Sequence, residues 1–274
     1  MKTLLTRSIS GLIFVALVVL SLTLEPSFFL GFFSVIVGIG LFEFHKLFSG
    51  KNQLTHSWLV TVILGYISFL SLVLPSYLIY NFSLNPLWFT LALILFYILL
   101  QILLYKNTIS SIFLFIGAIM YVVVPFYLAF KMHIKDTGTL PIVLGIFILV
   151  WTNDTFAYLS GNLIGKHKLN EKISPNKTWE GFAGGVFFAI LIGLILDQYI
   201  YKNAGYDTYF WTKAAIFIAP AAVAGDLFES ALKRKMKVKD TGNIMPGHGG
   251  ILDRFDAMLF ALPVFYILLY FDVI

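Results

Sequence analysis

The chain has 274 residues, 59% of them hydrophobic and only 12% charged, with a formal net charge of +5 and no cysteine. So little charge excludes an ordinary soluble domain, and the lack of cysteine excludes a disulfide framework or a thiolate metal site. The basic excess is not a nucleic-acid patch, because it is distributed among short loops between apolar runs.

A bilayer crossing takes about 20 mostly apolar residues. Nine stretches qualify: roughly 8–24, 28–44, 57–80, 86–105, 109–130, 140–161, 179–200, 213–232 and 254–271. They consume most of the chain, which therefore reads as an all-α polytopic membrane protein with about nine transmembrane helices. Of the nineteen basic residues, fifteen fall at the N-terminus or in the loops after the second, fourth, sixth and eighth stretches. The positive-inside rule then predicts a cytoplasmic N-terminus, two cytoplasmic polar loops and an outer C-terminus. Lys2 and Arg7 precede the first apolar run as in a signal peptide, but no small-residue cleavage site follows, so the segment is expected to stay as a span.

Little chemistry is visible before residue 130. Pro26, Pro75 and Pro86 lie near expected breaks. Glu43, His45, Lys46 and His56 fall at a predicted cytoplasmic edge and read as solvated flanks or snorkelling anchors. Pro125 removes a backbone hydrogen bond inside the fifth stretch and is expected to kink it.

The first informative stretch runs from Asp154 to Gly185. Asp154 stands inside the sixth apolar run, with Tyr158, Gly161 and Gly165 near its face. A lysine-rich loop follows, ending in Ser174-Pro175-Asn176-Lys177-Thr178-Trp179-Glu180. Ser174-Pro175 suits a helix start, with serine capping and proline in the first turn. Gly181, Gly184 and Gly185 then allow close helix contact. Gly161 to Lys166 is one residue short of a phosphate-binding loop, and His167 stands where a magnesium-binding Ser or Thr is needed.

The densest stretch is Gly225 to Asp256. Asp226, Glu229, Ser230 and Lys233 recur at i, i+3, i+4 and i+7, one stripe of a helix. Pro220, earlier in the same run, either frees backbone carbonyls to line a cavity or packs against a neighbour. A Lys- and Gly-rich loop leads to Asp253-Arg254-Phe255-Asp256 at the head of the last apolar run. Helix-terminus preference accounts for Asp253 and Asp256. It does not account for Asp226 and Glu229, since carboxylates at membrane depth are expensive and usually functional.

Ser230-x-x-Lys233-Arg234, Lys239-Asp240-x-Gly242, Pro246-Gly247-His248-Gly249-Gly250 and Asp253-Arg254-x-Asp256 together resemble the signature of the phosphatidate cytidylyltransferases, or CDP-diacylglycerol synthases. Asp154-x-x-Ala157-Tyr158-x-x-Gly161 and Ser174-Pro175-x-Lys177-Thr178-x-Glu180-Gly181 resemble the same family.

Acids beside bases at a membrane surface suit metal-bound phosphates, and magnesium takes carboxylates plus phosphate oxygens. The resemblance implies that CTP and phosphatidate yield CDP-diacylglycerol and pyrophosphate by metal-dependent attack of the lipid phosphate on the α-phosphate of CTP. On that basis Asp226 and Asp253 are expected as metal ligands, with Glu229 and Asp256 beside them or on a second cation. Lys177, Lys233 and Arg234 are expected to act with Asp226 and Asp253 in catalysis. Substrate contacts are expected from Asp154, Ser174, Asn176, Lys239, Asp240, His248, Gly249, Gly250 and Arg254. The cofactor expected is Mg2+, the partners CTP, phosphatidate and the bilayer, without nucleic acid.

Residues 1–130 are read as scaffold and oligomer contacts of a homodimer, and 131–274 as the catalytic transmembrane region. The setting expected is a bacterial inner membrane with the site facing the cytoplasm, and Lys177 is expected near both Asp226 and Asp253. A CTP-dependent lipid (isoprenoid) kinase and an ion-coupled transporter using intramembrane carboxylates are the alternatives. The kinase would release CDP instead of pyrophosphate. A transporter predicts inverted repeats, and none is visible.

Overall fold

A computed structural model describes residues 2–49, 57–78, 86–104, 108–135, 141–200, 208–245, 247 and 249–274. The chain divides into two compact units, Met1–Ile134 with Asp240–Asp253, and Lys135–Lys239 with Arg254–Ile274.

The first unit holds α1 (Lys2–Thr23), α2 (Pro26–Ser49), α3 (Ser57–Leu78), α4 (Pro86–Leu104), α5 (Thr108–Ala118) and all but the last residue of α6 (Val124–Lys135). Pro26 and Pro86 open their helices, where the missing N–H costs nothing. Pro75, near an expected break, lies inside α3 close to its end. Between α5 and α6 a π-helical turn spans Ile119–Val123. It ends two residues before Pro125, which lacks the N–H that a regular turn would use there. The apolar periodicity is spent on an aromatic core. Phe29 stacks on Phe33 at 4.3 Å between centroids, with Phe130 against the first ring and Phe126 against the second. Tyr97 is wholly buried, stacks on Phe115 and shares a 2.9 Å hydrogen bond with Thr61.

The second unit holds α7 (Ile142–Ile164), an antiparallel hairpin of β1 (Lys168–Asn170) and β2 (Ser174–Thr178), α8 (Trp179–Ile195), α9 (Phe210–Lys235) and all but the first two residues of α10 (Leu252–Tyr270). Ser174-Pro175 does not start a helix. A residue before proline is pushed to extended backbone, and both residues belong to β2, paired Asn170 to Ser174 and Lys168 to Thr178. The helix begins five residues after Ser174, where Thr178 caps it by accepting from the Gly181 N–H at 3.1 Å.

Glycines let α7 and α8 pack at close range. A Cβ on Gly185 would lie 2.8 Å from the Asn153 carbonyl oxygen. A π-helical turn, Leu196–Ile200, ends α8, and its Asp197 accepts from the N–H groups of Trp211 (2.7 Å) and Thr212 (3.0 Å). That places negative charge at the N-terminus of α9, where the helix dipole favours it. The core below is aromatic: Trp211, wholly buried, stacks on Phe265 at 5.7 Å.

Among the described residues each of the nine apolar stretches read from the sequence contains a helix, the fifth and the seventh including a π turn. Among the described residues six helices are long and apolar enough to cross a membrane, and Ser8–Thr23 and Leu87–Leu103 are shorter apolar helices. The chain is an all-α polytopic membrane protein, with the small hairpin as an addition that the apolar pattern did not announce.

Candidate active site

In the second unit, three helices and the hairpin bring a set of charges together. α7 carries Asn153, fully buried, and Asp154, whose Oδ1 accepts from Asn153 Nδ2 at 3.3 Å. The hairpin that follows is held at its base by Glu180. That carboxylate accepts from the backbone N–H groups of Lys166 (3.0 Å) and His167 (3.2 Å) and meets His167 Nδ1 at 2.6 Å. So anchored, β2 presents Lys177, whose Nζ lies 2.6 Å from Asp226 Oδ2 on α9. The other oxygen of Asp226 accepts from Ser230 Oγ, one turn later, at 3.3 Å.

α10 closes against α9 where Gly225 has no side chain. A Cβ there would run into the Asp256 carbonyl oxygen, and Phe228 packs on Phe260 just below. This approach puts the carboxylate of Asp256 within electrostatic range of Asp226 and Asp154, and Asp154 also feels Lys177. Two further carboxylates, Asp154 and Asp256, therefore flank one short ion pair. The pair is not sealed: the Lys177 and Asp226 side chains keep 26% and 34% of their surface exposed. Contact between the two can be exchanged for contact with a ligand.

One turn further along α9 the character changes. Glu229, 1% exposed, accepts from Lys233 Nζ at 2.9 Å. The i, i+3, i+4, i+7 stripe is thus one helical face, on which Asp226 meets the hairpin lysine and Glu229 holds the lysine of its own helix. Arg234 is exposed beside Lys235 in the last turn, where cations suit the C-terminal end of the dipole. Lys239, in the loop beyond, is exposed, as is Arg254 in the first turn of α10. Ser174 and Asn176 lie on β2, with Asn176 exposed.

The first unit contains carboxylates of its own. Asp253 Oδ2 accepts from the Thr241 N–H (2.9 Å), Thr241 Oγ1 (3.0 Å) and the Gly250 N–H (2.8 Å). Exposed Asp240 starts this loop. Gly249 turns it at φ +84°, accepting from the Met245 N–H at 3.0 Å. His248 lies outside the described residues.

A buried acid that the sequence reading had assigned to a solvated flank completes the group. Glu43 on α2 is 1% exposed and accepts from the N–H groups of Ile251 (3.1 Å) and Leu252 (3.0 Å) and from Thr241 Oγ1 (3.2 Å). His45 is likewise buried. The rule that singled out Asp226, a carboxylate deep in an apolar helix, applies equally to Glu43. Nearness to a span's end concealed it.

Among the described residues no three His, Cys, Asp or Glu side chains converge as a ready-made metal cage. Magnesium does not need one, since it commonly takes one or two carboxylates plus substrate phosphates and water.

The model of the Cytidylyltransferase family matches residues 5–272, and the chain belongs to that family. It is similar to the phosphatidate cytidylyltransferases of Staphylococcus epidermidis (strain ATCC 35984) and Staphylococcus aureus (strain COL). Each is 46% identical over 127 residues, or 46% of this chain and 48% of the relative. The protein of that name from Staphylococcus saprophyticus is 44% identical over 140 residues, 50% of this chain and 53% of the relative. The chain thus spans about half the length of the curated relatives it matches.

Proposed function

We propose that the protein is a membrane-bound nucleotidyltransferase that converts CTP and phosphatidate into CDP-diacylglycerol and pyrophosphate. The observation that carries this reading is the Lys177–Asp226 pair flanked by Asp154 and Asp256, in a chain of the cytidylyltransferase family. A partly exposed hairpin lysine among carboxylates, beside otherwise apolar helices, suits a ligand that brings both phosphate and a cation.

In this reading an oxygen of the lipid phosphate attacks the α-phosphorus of CTP. The bond from that phosphorus to the oxygen bridging to the β-phosphate breaks, and pyrophosphate leaves with the electron pair. A phosphomonoester has its second pKa at about 6 and is largely dianionic at neutral pH, so no strong general base is required. Catalysis then rests on holding the reactants in line and neutralising charge.

The donor set fits magnesium, being all oxygen and carrying more negative charge than its lysine offsets. Asp226 and Asp253 are each proposed as ligands, with Glu229 and Asp256 in support or for a second cation. When bound, the ion would supply Lewis-acid polarisation of phosphate oxygens. Lys177 exchanges its carboxylate partner for a phosphate oxygen. Lys233, held by Glu229, and Arg234 offset the remaining phosphate charge.

The setting proposed is a bacterial cell membrane, crossed nine times, with the site on the cytoplasmic side and the C-terminus outside. Contact between Glu43, late in α2, and the start of α10 supports this count. It needs an even number of crossings between the two, and α3, α4, α5 with α6, α7, α8 and α9 supply six. A homodimer formed through the N-terminal helices belongs to the same proposal, and the mass of the detergent-solubilised particle tests it.

Purified protein incubated with labelled CTP, phosphatidate and magnesium should give labelled CDP-diacylglycerol and pyrophosphate. Release of CDP with a phosphorylated lipid would replace this reading by a kinase. Single cysteines at Asn170 and Asn243 should be reached by reagent only from the inner face of sealed cells, and labelling from outside overturns the topology.

A further inference from the structure

Glu43 stands apart from every residue that the family signature contains. It lies about 200 residues before the loop it meets, and its side chain is 1% exposed. A carboxylate is costly to bury unless hydrogen bonds compensate it. Here Ile251 N–H, Leu252 N–H and Thr241 Oγ1 do so. Two of these are the N–H groups at the start of α10, which helix geometry leaves without intrahelical partners. Glu43 therefore caps α10 from another helix.

Its carboxylate also explains two glycines of the loop. A Cβ on Gly242 would collide with the Glu43 carboxylate, and a Cβ on Gly250 would lie 2.5 Å from Oε2 and 2.6 Å from Oε1. Thr241 connects this acid to a second one, since its Oγ1 lies 3.2 Å from Glu43 Oε2 and 3.0 Å from Asp253 Oδ2. The threonine N–H and the Gly250 N–H both go to Asp253. Loop 240–250 is thus fastened at its two ends by two carboxylates that share one threonine. Glu43 fixes the backbone from which Asp253 is aimed.

We propose that Glu43 is a positioning residue for the transferase reaction: by capping α10 and holding Thr241 and Gly250, it sets the orientation of Asp253. The role rests on the proposed nucleotidyltransfer, in which Asp253 binds the cation, and Glu43 acts only through that residue and its loop.

Glu43→Gln keeps the size and replaces one oxygen by an NH2 that cannot accept from the α10 amides. Hydrogen bonds to a charged group lost in this way correspond to a fall in kcat of about tenfold to a hundredfold. The KM for CTP should change little, while the magnesium concentration for half-maximal rate should rise. Independently of activity, hydrogen–deuterium exchange should quicken in peptides covering 240–252 and stay unchanged in 142–200. Glu25→Gln, an exposed acid between α1 and α2, should match the unsubstituted protein in each measurement.

Wild-type kcat, magnesium dependence and exchange in Glu43→Gln overturn the proposal. So does exchange that quickens throughout the chain, which marks a merely structural residue. If Glu43→Gln does not accumulate, Thr241→Val removes the shared hydroxyl while leaving Glu43 in place. It should slow kcat and loosen 240–252 in the same pattern, and a normal kcat with normal exchange overturns the proposal equally. Should the unsubstituted protein fail to turn over CTP and phosphatidate, the reaction is wrong, but the exchange experiment still decides whether Glu43 holds the loop.

Discussion

The two carboxylate groups use the same residue types in opposite ways. In the first unit, both oxygens of Glu43 and the Oδ2 of Asp253 accept from backbone N–H groups and one buried hydroxyl. Those partners belong to the fold and cannot be traded without opening it. In the second unit, Asp226 meets a lysine and a serine side chain, with a third of its surface open and two further carboxylates near it. Like charges gathered beside a single short ion pair are poorly arranged for stability, and under the proposed function they would receive a cation and a phosphate. The difference teaches that burial and hydrogen-bond count separate an acid that only builds a loop, Glu43, from acids left available to a ligand.

The largest expected effect tests the open group. Asp226→Asn should lower turnover by about 10³-fold or more, the scale of a lost metal ligand, while thermal stability in detergent holds or rises because one of three like charges is gone. Lys177→Ala should cut kcat by about 10²-fold with the fold intact by circular dichroism. A pronounced loss of melting temperature in either variant would place this group with the structural one and break the contrast.

Asp253→Asn tests the closed group from the other side. It should lose activity and also about 1.5–3 kcal/mol of stability, since three donors face its Oδ2. Equilibrium unfolding compared with Asp226→Asn sharpens the distinction: one acid should cost function alone, the other both.

Smaller effects concern the frame around the open group. Gly185→Val should cost about 1–3 kcal/mol by forcing α7 from α8, and activity should fall with it because Asp154 and Lys177 depend on that pairing. Thr178→Ala removes the α8 cap and should cost about 1 kcal/mol. An unchanged unfolding midpoint for Thr178→Ala would mean that the hairpin holds the helix start without it.

The apolar runs determined that the chain would be helical and membrane-embedded, because length and hydropathy are local properties that burial in lipid reads directly. The stripe of Asp226, Glu229, Ser230 and Lys233 was also legible, since helical spacing alone puts those residues on one face. Spacing could not say that Asp226 would turn to Lys177 and Glu229 to Lys233, because partner choice depends on which element packs alongside. Ser174-Pro175 carried a helix-start pattern, yet hairpin pairing and the Thr178 cap moved the start to Trp179, tertiary context overriding a local preference. Glu43 looked like a flank by its position near the end of a span. Only the fold, by bringing the unpaired N–H groups of α10 to α2, made it a buried cap. Composition and period determine what each segment becomes, while the partner that satisfies each buried charge is set by contacts between residues far apart in the chain.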